Sequence, residues 1–250
     1  IPAVSLYFYC YLLLTEPAGE TLFQRFKTQL FENLDQLPGD EQRNLHLLAL
    51  NFCIRKINQL ESAYFREALD LYKSALNAGL LLENGQFSHF AYNNIIAIAL
   101  KVGDIDWAEQ FIHTYTPFLE KKHRDAAFHL NLARVEYGRH NLSAALLHLQ
   151  HADYKDLINN LIAKTLQLKI YYETGEFDAL EAHLQSMQTF IRRQRGIGYH
   201  KTNYLNIVRY GRRLMQHNPN SRQARAALRQ KIEEEPVLTE KEWFLEMIDH

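Results

Sequence analysis

A chain of 250 residues with 47% hydrophobic content has enough apolar side chain to bury a sizeable core, which excludes a disordered polymer. The formal net charge of -1 gives no global attraction to polyanions, and two cysteines, Cys10 and Cys53, are too few for a secreted disulfide framework or a metal-ligand set. Ten glycines and six prolines leave long stretches rich in Leu, Ala, Gln, Glu and Lys, so the expectation is helix throughout and essentially no sheet.

In chain order, thirteen helices are expected, near residues 3–14, 20–36, 41–59, 63–79, 87–101, 105–120, 123–138, 142–152, 155–173, 177–194, 199–217, 221–235 and 239–249. The run Val4 to Leu14 is strongly apolar but spans eleven residues. A bilayer needs roughly 18 to 20, so the run reads as a buried helix. It has neither the basic start nor the small-residue cleavage site of a signal peptide, and the reducing cytoplasm is the expected compartment. A first residue of Ile1 suggests a fragment of a longer chain. Gly79, Gly103, Gly138 and Gly175 fall where helices should end, and Asp104, Asn141 and Thr239 are candidate N-caps. Trp243, Phe244 and Met247 form an apolar stripe that would hold the last helix down.

Between Leu45 and Phe190 a unit recurs: a helix, a short turn, then a helix opening with a small residue. Taking Ala68, Ala108, Ala145 and Leu180 as equivalent gives spacings of 40, 37 and 35 residues. Four residues after each stand Tyr72, Ile112, Leu149 and Leu184, and three further on Ala75, Tyr115, Ala152 and Met187, so one face is apolar. Phe65, Ile105, Leu142 and Phe177 would plug the turns. In the first helices, Phe52 and Tyr92 hold an early aromatic position, Leu132 a Leu position and Ala133 the adjacent small one.

This pattern resembles the tetratricopeptide repeat (TPR), whose period is about 34 residues. The resemblance extends over residues 45 to 194, without the family's closing Pro, and the chain as a whole is similar to uncharacterised bacterial TPR-like proteins. It implies an all-α fold: a right-handed α-solenoid of stacked antiparallel helix pairs over 1–250. Residues 1–40 would form an N-terminal helical cap, 45–194 the repeats, and 199–250 a basic helical pair with a capping helix.

No P-loop, GxSxG elbow, HExxH or recognisable carboxylate pair occurs, so neither catalysis nor a cofactor is expected. Twelve histidines invite a metal reading, with His148 and His151 on one helical face near Asp153 and Asp156, but no third ligand is fixed by spacing. Gly196-Ile197-Gly198 follows a helix rather than a strand and reads as an inter-helix turn, not a dinucleotide fingerprint.

Charge is unevenly distributed. Residues 190–231 carry 11 Lys or Arg and no acid, whereas 232–250 carry 7 acids and one Lys. A basic patch is expected from Arg192, Arg193, Arg195, Lys201, Arg209, Arg212, Arg213, Arg222, Arg225 and Arg229, facing nucleic acid or a phosphate ligand, or else neutralised by the acidic stretch that follows. A second polar set lies on the first helices of the pairs: Asn93, Asn94, Asn131, Arg134 and Lys169, with Tyr137 and Tyr172 as aromatic walls and an extension to Asn203 and Arg209. Asparagine is a poor helix former, so its recurrence in mid-helix calls for a reason. The resemblance supplies one, a concave groove of amides and cations gripping a peptide; hydrogen bonding within the stack is the other. The reading is therefore a non-enzymatic interaction scaffold for a protein or peptide partner, with nucleic-acid or phosphate binding through 192–231 as the alternative and no membrane association. Oligomeric state is left open by the sequence.

Overall fold

The computed structural model describes residues 2–15, 19–59, 61–151, 156–198, 200–218 and 220–249. The chain divides into two compact units, Ile1–Arg139 and His140–His250, where a single domain over 1–250 was expected. The first contains α1 (Pro2–Thr15), α2 (Glu20–Glu32), α3 (Gly39–Asn58), α4 (Tyr64–Asn77), α5 (His89–Lys101), α6 (Ile105–Tyr115) and α7 (Lys121–Gly138). The second contains α8 (Leu142–His151), α9 (Leu157–Glu173), α10 (Phe177–Arg193), α11 (His200–Gln216), α12 (Arg222–Glu233) and α13 (Lys241–Asp249). The expected thirteen α-helices are all present among the described residues, most within a few residues of their expected ends.

In the first unit, α1 packs on α2, α3 on α4 and α5 on α6, while α1 also meets α3 and α5 meets α7. The hairpins are joined by α4 against α5 and α6 against α7 as well as by α1 against α3 and α5 against α7, which hides apolar faces that a single amphipathic pair would leave open. Phe23 stacks on Phe52 at 5.1 Å with Tyr64 edge-on to both, and Phe87, Tyr92 and Phe111 form a second aromatic nest. In the second unit α9, α10 and α11 pack mutually, and α11, α12 and α13 do so again. Ala68, Ala108, Ala145 and Leu180 are fully buried, as are Ile112, Ala75, Leu184 and Met187 of the repeating face. Ala152 lies outside the described residues. Gly211, inside α11, lets that helix approach closely: a Cβ there would stand 3.1 Å from Leu184 Cδ2.

Several expectations are corrected. Residues 82–87 form a small antiparallel ribbon, β1 (Leu82–Glu83) and β2 (Gln86–Phe87), closed by Asn84 and Gly85, both at positive φ. Asn-Gly is the preferred two-residue hairpin turn, so the absence of sheet was the wrong inference from a legible signal. The helix expected at 20–36 ends at Glu32 and a 3-10 turn follows, because Pro38 forces Leu37 into extended backbone. The helix expected at 105–120 ends at Tyr115, and Pro117 tightens the next turn into a 3-10 helix. Gly103 and Gly175 terminate helices at positive φ, but Gly138 stays inside α7 and His140 takes the left-handed turn. The α1 run is not fully buried. Leu6, Cys10 and Leu13 face α2 and α3, whereas Val4, Phe8, Tyr11 and Leu14 are exposed. Phe177 is half exposed and leans edge-on against Tyr172 rather than plugging a turn. No described helix is long and apolar enough to cross a membrane.

Two histidines are built into this packing in their neutral form. His46 on α3 is 1% exposed; burial holds its pKa below the ordinary 6.5, against the raising effect of the Gln42 carbonyl that its ring N–H meets. His183 on α10 is lowered by burial too, with the Lys164 carbonyl opposing and the Lys164 charge assisting. Above pH 6.5 both are neutral in folded and unfolded chain alike; below it the unfolded chain takes up protons that the fold resists. Thermal stability is therefore expected to fall between pH 7 and pH 5, and to fall less in His183→Gln, as measured by circular dichroism melts across that range.

Candidate functional site

The first polar set gathers on neighbouring helices α5 and α7. The Asn131 side-chain amide donates to Asn93 Oδ1 at 2.8 Å and to the Ala127 carbonyl at 2.8 Å, and Arg134 Nη1 donates to Asn131 Oδ1 at 3.2 Å. Asn131 is fully buried, so its amide is a bond between helices and not a surface donor. Asn93 and Arg134 are half-buried at the two ends of this relay. Asn94 is exposed, and one turn earlier Phe90 is 70% exposed. On α3, Leu47 and Asn51 repeat the same combination of an exposed apolar side chain with an amide one turn on.

The second-unit members are used by the chain itself. Lys169 Nζ lies 3.1 Å from Glu240 Oε2 and 5.5 Å from the centre of the Trp243 ring. Tyr172 packs edge-on against Trp243, and burial raises its hydroxyl pKa. The Trp243 indole N–H donates to Glu173 Oε1 at 2.7 Å. On α11, Asn203 accepts from the Thr239 backbone N–H at 2.9 Å and donates to its hydroxyl at 3.1 Å, while Asn206 donates to the Val237 carbonyl at 2.9 Å. The turn-rich link between α12 and α13 is thus held by helix-borne amides, and α13 is fixed by the burial of Trp243, Phe244 and Ile248. Thr239, a candidate N-cap, serves as the anchor of this link. Lys169, Tyr172 and Asn203 therefore form no open groove: they clamp residues 237–243.

The basic residues do not make one ridge. α11 has 17 residues, a length of about 25 Å, and the cations gather at its two ends. Arg192 and Arg193 in the last turn of α10, Arg195 in the following loop and Lys201 in the first turn of α11 lie at one end. None of these four has an ion-pair partner among the described residues. Near the other, Arg212 bonds Gln188 at 3.0 Å and approaches Glu181, Arg213 stacks over Tyr210, and Arg222 and Arg225 open α12. The acidic C-terminal stretch neutralises the remainder: Arg209 pairs with Glu235, and Arg229 with Glu233 and Asp249, which raise its pKa. Ile197 is buried in the core of this unit, so the Gly196-Ile197-Gly198 turn is pinned from within.

The remaining sequence candidates separate. Among the described residues no group of three or more His, Cys, Asp or Glu could hold a metal ion. Asp156 caps α9 by accepting from the Asn159 N–H, and Asp153 lies outside the described residues. Cys10 and Cys53 are buried thiols, and burial pushes each up to about 12. Asp104 sits at the start of α6 but pairs with Lys73 at 2.6 Å instead of capping. Sequence reasoning missed Asn206, Glu173 and Glu240. Their roles depend on α13 returning to α9 and α11, which no local pattern announces.

Compared with family models, curated proteins and solved structures, the chain shows no significant match to any of them.

The clamp has a measurable consequence. Asn203→Ala leaves the Thr239 N–H without its acceptor and is expected to destabilise the second unit by about 1 to 3 kcal/mol, whereas Asn94→Ala should change stability by less than about 0.5 kcal/mol. Urea titrations followed by Trp243 fluorescence in a Trp107→Phe background measure the first, and titrations followed by Trp107 fluorescence in a Trp243→Phe background the second.

Proposed function

We propose that the chain is a TPR-like scaffold, its helix pairs stacked in the right-handed sense within each unit, that binds an extended segment of another protein without catalysing a reaction on it. Support comes from the hairpins α1–α2, α3–α4 and α5–α6, from the contacts of α1 with α3 and of α5 with α7, and from the buried alanines at the repeat anchors. The observation that carries the binding reading is the Asn203 and Asn206 clamp: amides on one face of α11 hold main-chain groups of a segment that is neither helix nor strand. In the first unit the corresponding helices offer Phe90 with Asn94 and Leu47 with Asn51 to solvent. An amide beside an exposed apolar side chain suits a peptide that presents its backbone and one apolar side chain together. A cytoplasmic location accords with two buried, unpaired thiols.

The test is a peptide array followed by fluorescence anisotropy on the peptides it selects. Phe90→Ala with Asn94→Ala is expected to weaken binding at least about tenfold, the effect of losing one buried aromatic contact and one hydrogen bond. Affinity unchanged by the pair would remove this face from consideration.

A second reading rests on a separate observation. Arg192, Arg193, Arg195 and Lys201 form an acid-free cluster at one end of α11, suited to a polyanion such as single-stranded nucleic acid. Four phosphate contacts would give a slope of log affinity against log salt of about -3. Arg192→Glu with Arg193→Glu should abolish this binding while leaving peptide binding intact; a salt-independent affinity would exclude it.

A further inference from the structure

His46 and Ser74 form a polar pair that the binding reading does not use, on helices α3 and α4. His46 Nδ1 lies 2.7 Å from the Gln42 carbonyl oxygen, and His46 Nε2 lies 3.0 Å from Ser74 Oγ. A carbonyl oxygen only accepts, so Nδ1 carries the hydrogen and Nε2 presents its lone pair. The Ser74 hydroxyl therefore donates to Nε2. This is the order of groups that makes a serine nucleophilic: hydroxyl, then imidazole base, then an acceptor that fixes the tautomer.

The surroundings favour the same reading. His46 is 1% exposed and lies against the Phe31 ring, with ring centres 6.5 Å apart. Gln42 cannot drift, since its side-chain amide donates to the Leu34 and Leu37 carbonyls at 2.8 and 2.9 Å. The base is thus rigid, dry and neutral, whereas Ser74 is half-exposed. It lines an open cleft with Phe31, Leu34, Asp70, Lys73 and Asn77. Of the charges lining the cleft, Asp70 bonds Lys27 at 2.6 Å and Lys73 bonds Asp104 at 2.6 Å, while Asp35 is exposed to solvent.

From this geometry we infer that Ser74 is an activated nucleophile, with His46 as its base, that accepts an acyl group from small activated esters entering the cleft. Ser74 Oγ attacks the carbonyl carbon while its proton passes to His46 Nε2. The tetrahedral carbon then collapses, expelling the alcohol oxygen, which takes that proton and leaves an ester on Ser74. Water attacks this acyl carbon, its proton going to His46, and Ser74 departs and recovers the proton as the acid is released. The backbone N–H groups of α4 are engaged within the helix, and Asn77 one turn on is the side-chain amide at hand for the developing oxyanion. One donor instead of two makes the expected reaction slow and limited to good leaving groups. This inference stands independently of the binding reading.

The full-length chain treated with a fluorophosphonate probe and mapped by peptide mass spectrometry decides the matter. One adduct per chain is expected, on Ser74, absent in Ser74→Ala and forming at least about 100-fold faster than in the urea-unfolded chain, the scale of general-base assistance. p-Nitrophenyl acetate should acetylate the same residue. His46→Gln, where its melt shows a folded chain, should slow labelling by a similar factor. A folded wild-type chain that leaves Ser74 unlabelled overturns the assignment. So does labelling of Ser74 that is equally fast in the unfolded chain.

Discussion

A pair of short amphipathic helices has one apolar stripe on each member and no interior, so within each unit the pairs depend on their neighbours for burial. Close approach makes that burial possible. Ala68, Ala108 and Ala145 stand fully buried where second helices open, and Gly211 lets α11 settle against Leu184. Larger side chains at these points would separate the helices and leave voids along the whole contact. The aromatic nests around Phe52 and Phe111 lie in the same buried cluster as Ala68 and Ala108. α1, a helix without a single charge, leaves Val4, Phe8, Tyr11 and Leu14 exposed.

Once the helices are close, polar groups between them must find partners, and the buried amides do so in two ways. Asn131 joins α7 to α5 through Asn93. Asn203 and Asn206 reach instead to main-chain groups of residues 237–239, a segment with no ladder or helix to satisfy them. The same side-chain chemistry thus serves as a rivet in one unit and as a clamp in the other. Charge is arranged by similar economy: the acids after residue 232 neutralise Arg209 and Arg229, which lie beside them, and leave the cations at the far end of α11 unmatched.

Much of the helical architecture is local and was readable. Apolar residues at helical spacing placed thirteen helices, and the anchors Ala68, Ala108, Ala145 and Leu180, at intervals of 40, 37 and 35, fall at fully buried positions. Gly103 and Gly175 marked helix ends because a left-handed residue there is a local requirement. Asn84-Gly85 carried an equally local hairpin signal, and it was overlooked because strands of two residues show no alternation. Gly138 differs: it is the last residue of α7 in helical conformation, and the left-handed turn falls two residues later at His140.

The polar sites were not legible in this way. A mid-helix asparagine announces that something needs explaining, but whether Asn131 meets Asn93 or solvent depends on the angle at which α7 lies on α5. Lys169 and Glu240 are 71 residues apart, and His46 and Ser74 are 28 apart. Backbone propensity acts over a few residues and fixes which segments are helical. Partners for buried polar groups are chosen only when packing brings distant helices within hydrogen-bond range, so the tertiary structure alone decided what each of these side chains does.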